Sequence, residues 1–325
     1  MTKGSVAFIC DSNYVIPTAV AITSLICNKN QDTYYDIYII AVGLLEREIE
    51  KFYEFKESNT DIHIIKASLE KFEGLWEKRY ITAATYLKFD LPDFIPSQDK
   101  LLYLDSDVII QKDLSDLFKI DIKDYYVGAV KDVPLIDNNL NIKNYFNAGV
   151  MFLNLKLMRE SNASSALLNI GKSANKLTYQ DQDCFNIIFD KKVKLLPIIY
   201  NFFYNYFLQD KKYTLEYINE CFGTYYSSLD NIKKDSFIIH LVGRYKPWIY
   251  FDSVFVHEWD EYFKKSPFKL HKLKRKSIKL KEFILSHKLT RISCLFFKYW
   301  HDNGFKFAMG KVQKRLFNKG LNIQG

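Results

Sequence analysis

The run Lys100-Leu101-Leu102-Tyr103-Leu104-Asp105-Ser106-Asp107-Val108-Ile109-Ile110 decides how the rest of this chain is read. Leu101 to Leu104 is apolar at every position, the pattern of a strand covered on both faces, as in a parallel sheet. It breaks off at two aspartates separated by one small residue, and a second apolar run follows. Two negative charges against a buried strand are costly without a cation or hydrogen-bond donors beside them. The carboxyl ends of strands are where open α/β sheets hold ligands. Asp105 and Asp107 in that place suit an oxygen-bound divalent cation that in turn holds phosphate oxygens. Read alone, they equally suit a turn in which one aspartate caps the next segment.

Upstream, Ser5 to Cys10 reads as an apolar strand ending at Asp11-Ser12-Asn13, and Pro17 opens a helix to about Asn28. Asp36 to Val42 and Asp61 to Lys66 read as two further strands, separated by an amphipathic helix from Leu44 to about Ser58. Strands alternating with helices predict an α/β fold with a mostly parallel, doubly wound sheet and flanking helices. No Gly-x-Gly-x-x-Gly follows the first strand and no Walker lysine motif occurs, which argues against a dinucleotide cofactor and P-loop chemistry. Asp11 and Asn13, short polar side chains at a strand end, suit either a base or ribose contact or a helix cap.

Around the central run, Thr82 to Phe94 reads as a helix carrying Lys88, which either reaches a phosphate or carboxylate or is solvated. Asp113 to Phe118 is a short helix, and the strand Tyr126 to Val130 stops near another carboxylate, Asp132. Tyr145 to Asn154 is strand-like, with Ala148 and Gly149 letting something approach the backbone closely. Asn147 there suits a sugar hydroxyl; the alternative is a bulge that turns the strand. Tyr179-Gln180-Asp181-Gln182-Asp183 opens a helix running from Cys184 to Phe189 and suits either a polar, sugar-sized pocket or simple capping. Val193 to Pro197 returns as a strand. Phe237 to His240 is the last strand, followed by Gly243, which permits close approach, and Lys246, a point charge for phosphate. An imidazole added to two carboxylates favours Mn²⁺-like ions over pure oxygen coordination.

The chain of 325 residues is 48% hydrophobic, enough for a large core in one or two domains. Five cysteines without paired spacing point to a reducing compartment rather than a disulfide framework or zinc site. The start lacks the features of a signal peptide, and no apolar run reaches membrane-spanning length, so a cytoplasmic protein is expected. Of the 46 Lys and Arg, 17 lie from Tyr262 onward with only Glu282 and Asp302 among the 38 acidic residues; that segment is net +15 and the remainder net −7. Aromatic and aliphatic residues stand among those lysines at helical spacing, as in a basic amphipathic helix on an anionic membrane or one docked on the catalytic domain. No recognition module accompanies the charge, so nucleic acid is not expected as a partner.

In their order and spacing, Asp105-Ser106-Asp107, Phe146-Asn147-Ala148-Gly149-Val150, Tyr179-Gln180-Asp181-Gln182-Asp183 and His240-x-x-Gly243-x-x-Lys246-Pro247-Trp248 resemble the family 8 glycosyltransferases. The resemblance spans about Val6 to Trp259 and implies a GT-A catalytic domain over residues 1–261, followed by a helical tail over 262–325. It implies that Asp105, Asp107 and His240 hold Mn²⁺ or Mg²⁺ on the diphosphate of a UDP-hexose. It likewise implies donor contacts from Asp11, Asn13, Lys88, Ser106, Asp132, Asn147, Ala148, Gly149, Gly243 and Lys246, and places Gln182 and Asp181 at the reacting carbon. Lys88 stands where relatives tend to carry arginine, keeping the charge but losing bidentate geometry.

The reaction so implied is retaining transfer of glucose or galactose to a cell-surface glycan or glycolipid acceptor such as lipopolysaccharide core. Retention arises either through a covalent intermediate on Asp181 or by departure and attack on one face of the sugar. The protein is expected on the inner face of the cell membrane, peripherally bound. Two alternatives stand beside this one: Asp105-Ser106-Asp107-Val108-Ile109 as the counterpart of the Asp-x-Asp-x-Val loop of a haloacid-dehalogenase-like phosphatase, or an inactive sugar-nucleotide fold acting as a membrane scaffold.

Overall fold

The structure, a computed structural model, describes residues 2–75, 83–132, 140–173, 177–204, 207 and 213–278. Thr82 and the segment from 279 onward, where the sequence predicts a helix start and most of the basic amphipathic tail, lie outside them. The chain divides into two compact units, Met1–Lys246 with His257–Lys272, and Pro247–Val256 with Leu273–Gly325.

The strands of the first unit are β1 (Thr2–Asp11), β2 (Thr33–Val42), β3 (Thr60–Lys66), β4 (Lys100–Leu104), β5 (Val108–Ile110), β6 (Val127–Lys131), β7 (Phe146–Asn154), β8 (Val193–Leu196) and β9 (Ile238–His240). Seven form one sheet in the order β3-β2-β1-β4-β7-β6-β8, and β5 pairs with β9 in a small second sheet. Within the large sheet only β7 runs antiparallel to its neighbours, β4 and β6. The expected mostly parallel sheet is therefore present, with one reversed strand that an apolar run cannot announce, because side-chain pattern carries no direction.

Both faces of the large sheet are covered, which is why its central strands show no alternation of polar and apolar residues. Leu102 and Leu104 of β4 join Val6, Phe8 and Phe152 in one core, while Leu101 and Tyr103 join Ala7, Ile9 and Met151 in the other. Phe268, in the stretch the sequence reading assigns to the tail, is buried in the first core with its ring 5.3 Å from that of Phe52.

Two helices differ from expectation. The one predicted from Leu44 to about Ser58 is Glu46–Tyr53, because Glu57 and Thr60 exchange backbone hydrogen bonds in the turn that feeds β3. The one predicted up to Phe94 is a 3₁₀ segment, Ala83–Asp90, passing into the short α-helix Leu91–Phe94. The tighter winding brings residues three apart onto one side, and Lys88 is turned inward and buried.

At Phe146 the helix Gln180–Ile188 is tied to β7 by the side chain of Asn186. Asn186 accepts from the Phe146 amide at 2.8 Å and donates to the Phe146 carbonyl at 2.9 Å and the Gln182 carbonyl at 2.9 Å. Asn186→Leu leaves those three backbone contacts unmade, at about 1 kcal/mol each. The urea midpoint of unfolding should fall by the equivalent of roughly 2–4 kcal/mol at unchanged slope; a midpoint within error of the wild type contradicts this role.

Candidate active site

The site grows from the end of β4. Asp105 follows Leu104 and donates its backbone amide to the Gly149 carbonyl at 2.7 Å, so the aspartate lies across from Gly149 in β7. Antiparallel pairing of β5 with β9 then sets Val108 opposite His240, and the Leu241 amide donates to the Asp107 carbonyl at 2.8 Å. Residues more than 130 positions apart are thereby brought side by side. Ligand atoms of Asp105, Asp107 and His240 all lie within 4.8 Å of one another. His240 Nε2 is 3.1 Å from Asp107 Oδ1 and 3.8 Å from Asp105 Oδ2.

Gly149 makes room for this cluster. A methyl group on its Cα would stand 2.2 Å from His240 Cε1 and 2.7 Å from Asp105 Oδ2. The sequence signal for close approach at Gly149 corresponds to the side chains of His240 and Asp105 lying against its Cα.

The carboxylates are compensated from two sides. Lys88 reaches Asp181 Oδ2 at 2.8 Å and Asp105 Oδ1 at 3.1 Å, and donates to the Ala148 carbonyl at 3.2 Å. Burial pulls its ammonium toward neutrality, but the charges of Asp105 and then Asp181 outweigh that and hold its pKa above the ordinary lysine range. Lys246 contacts Asp107 and donates to the Leu241 carbonyl at 2.5 Å. For Asp107, burial works against ionisation, yet Lys246 and His240 hold its pKa far below the usual carboxylate range. Burial raises Asp181 despite Lys88, and raises Asp132 despite hydrogen bonds from Asn147 and Gln182.

A band of amides lines the adjoining wall. Asn147 Nδ2 donates to Asp132 Oδ2 at 3.1 Å and Gln182 Oε1 at 3.2 Å. Gln182 Oε1 also accepts from the Ala148 amide at 3.0 Å, while its Nε2 donates to Asp132 Oδ2 at 3.1 Å. A register shift in β6 between Ala129 and Lys131, next to Asp132, supports this placement.

Eleven of the residues singled out from sequence thus converge: Lys88, Asp105, Asp107, Asp132, Asn147, Ala148, Gly149, Asp181, Gln182, His240 and Lys246. Ser106 is adjacent in chain, but its hydroxyl turns away, to Thr18 Oγ1 at 2.7 Å and the Ile9 carbonyl at 3.2 Å, and fastens the Asp105–Asp107 turn to α1 (Val15–Cys27) and β1. Asp11 Oδ1 accepts from the Asn13 and Tyr14 amides at 2.8 and 3.2 Å, and Asn13 itself is exposed. Tyr14 links that turn to the centre: burial raises its hydroxyl pKa, and the charges of Asp107, Asp105 and Asp11 add to the effect. Gly243 adopts φ +89° with open space about its Cα, as a backbone that can meet a ligand closely.

Sequence reasoning missed Tyr103, whose hydroxyl donates to Asp105 Oδ1 at 2.7 Å, and Asn201, which is wholly buried against His240. Tyr103 was hidden in an apolar run. Asn201 stood at the edge of an aromatic loop with no motif around it; a lone amide just after Pro197-Ile198-Ile199-Tyr200 was its only mark.

The donor set fits a divalent cation: two carboxylates and an imidazole, borderline in softness, converge on one point beneath a glycine that a side chain would fill. Gly149→Ala should therefore lower affinity for Mn²⁺ by tenfold or more and cost about 1–3 kcal/mol of stability from overpacking. Titration of Mn²⁺ monitored by electron paramagnetic resonance, with urea unfolding alongside, measures both; wild-type affinity in the variant contradicts the assignment.

The sequence model of the family described as "Glycosyl transferase family 8" matches residues 5–252. A lipopolysaccharide 1,2-glucosyltransferase of Escherichia coli is 27% identical over 265 residues, covering 78% of this chain and 73% of that protein. Glycosyltransferase GlyF of Streptococcus pneumoniae serotype 4 is 29% identical over 205 residues, covering 62% of this chain; the match spans about half of that longer protein, 49%. Among solved structures, galactosyltransferase LgtC in complex with donor and acceptor sugar analogs superposes with a TM-score of 0.67 at 24% identity, over 81% of this chain and 96% of that one. That likeness establishes the GT-A fold. The family match sets aside the phosphatase alternative, whose aspartate loop would also follow the first strand of its domain rather than the fourth.

Proposed function

This chain belongs to glycosyl transferase family 8, and we propose that it moves a hexose, glucose or galactose, from a UDP-sugar to a hydroxyl of a cell-surface glycan such as lipopolysaccharide core. The observation that carries the proposal is the convergence of Asp105, Asp107 and His240 beside Lys246. Those three would hold Mn²⁺ or Mg²⁺, which when bound supplies positive charge to the diphosphate leaving group. Lys246, released from Asp107, is placed to pair with the same diphosphate. Asp132, Asn147 and Gln182 offer a carboxylate and two amides to sugar hydroxyls.

Retention of configuration is part of the proposal, and the site favours departure and attack on one face. Gln182 Oε1 already accepts two N–H donors, and Asp181 is held in an ion pair by Lys88, so neither is free to attack the anomeric carbon. The intact ion cluster argues against an inactive scaffold. Replacing Asp105 or Asp107 by Asn should cut Mn²⁺-dependent UDP release from UDP-glucose or UDP-galactose on the order of 10²–10³-fold. Full activity in either variant, or turnover indifferent to chelator, contradicts the proposal.

We further propose that the protein works on the cytoplasmic side of the cell membrane, against its anionic face and not on nucleic acid. Among the described residues no helix is long and apolar enough to cross a membrane. In the second unit Ile249, Phe251 and Val254 are exposed to 38, 56 and 50%, a surface suited to the headgroup region. Tyr250 forms a β-bridge to Lys276, and Lys274 and Lys276 are exposed on that same small unit. The full chain bearing Lys274→Glu and Lys276→Glu should bind vesicles containing phosphatidylglycerol at least tenfold more weakly, at about 1 kcal/mol per basic residue. Unchanged flotation with such vesicles contradicts a membrane role for this surface.

A further inference from the structure

The amides around His240 have only one consistent orientation, and it is dictated by backbone. The Gly149 amide donates to Asn147 Oδ1 at 3.0 Å, which fixes that atom as oxygen. Asn201 is 3.0 Å from the same oxygen and must turn its NH₂ group toward it. Asn201 Oδ1 is then the atom that faces His240 Nδ1, at 3.0 Å. An amide oxygen only accepts, so Nδ1 is the donor in this hydrogen bond. Nε2 faces Asp107 Oδ1 at 3.1 Å and the space shared with Asp105, and with Nδ1 committed to Asn201 it is the nitrogen whose lone pair a cation entering there would take. Asn201 is fully buried and His240 nearly so, and water cannot substitute for the missing partner without a cavity to hold it.

We infer that Asn201 is the positioning residue that makes His240 a cation ligand, and that through Asn147 it couples the cation site to the sugar-facing amides. On its far side Asn147 donates to Asp132 and Gln182, so one connected set of hydrogen bonds runs from Nδ1 of the imidazole to the wall proposed to hold the hexose. Orientation of a ligating imidazole through its other nitrogen is worth 10–100-fold in metal affinity in comparable sites. The inference rests on the cation reading of the site, and its test separates the two.

Mn²⁺ binding to the full chain, read by electron paramagnetic resonance of the free ion, is compared for wild type, Asn201→Leu and Asn201→Asp. Asn201→Leu should bind Mn²⁺ about 10–100-fold more weakly. Asn201→Asp keeps an acceptor for Nδ1 but sets a carboxylate oxygen against Asn147 Oδ1, which Gly149 prevents from flipping. It should hold Mn²⁺ within about threefold of wild type while raising KM for the UDP-sugar by tenfold or more. No Mn²⁺ binding by wild type overturns the cation reading; binding by wild type that Asn201→Leu does not weaken overturns the role of Asn201. A variant-independent readout is the ¹⁵N spectrum of wild type, with the His240 signals identified by their loss in His240→Gln. With Mg²⁺ bound, a proton on Nδ1 and none on Nε2 supports the inference, and a proton on Nε2 with none on Nδ1 overturns it, even where Asn201→Leu fails to fold.

Discussion

Carboxylates at the end of a strand buried on both faces persist only where positive charge stands within a few ångströms of them. Asp105, Asp107, Asp132 and Asp181 crowd the carboxyl end of the central sheet, and among the described residues Lys88, Lys246 and His240 stand against them. A divalent cation at Asp105 and Asp107, as proposed, would add to that compensation. The same requirement accounts for the inward turn of the 3₁₀ segment carrying Lys88 and for the burial of His240. It also explains why a glycine stands at position 149, where any side chain would occupy the meeting point of the ligands.

The fold answers that requirement by topology rather than by local sequence. The short ladder between β5 and β9 and the reversed strand β7 do most of the assembly: one carries His240 to Asp107, the other lays Ala148 and Gly149 against Asp105. The Asn186 clamp then seats the Gln180–Ile188 helix so that Gln182 meets the Ala148 amide. Each of these contacts is made by backbone on at least one side, which gives the polar wall its fixed orientation.

Much of this was legible in the residues. The unbroken apolar character of Leu101 to Leu104 identified a doubly covered strand, and the abrupt Asp105 and Asp107 marked the end at which the acidic cluster gathers. The sequence allows Lys88 to be solvated or to reach a phosphate or carboxylate; in the structure it is buried and paired with the carboxylates of Asp105 and Asp181. Reversal of β7 was not legible, because strand direction depends on which neighbour it pairs with. Tyr103 and Asn201 were not legible either. Their roles are set by partners distant in sequence, and a tyrosine in an apolar run or an asparagine after a proline turn has no pattern of its own. Ser106 shows the converse: it lies inside the most informative motif, yet its hydroxyl serves the packing of α1 against β1.

Asp105, Asp107 and His240 are proposed to grip one ion that carries the diphosphate. Anomalous diffraction near the manganese absorption edge, from crystals grown with Mn²⁺ and UDP, locates that ion. A single strong peak is expected about 2–2.6 Å from a carboxylate oxygen of each aspartate and from Nε2 of His240, with diphosphate oxygens completing the shell. A peak elsewhere, or UDP bound in the cleft with no ion between it and these three side chains, would contradict it.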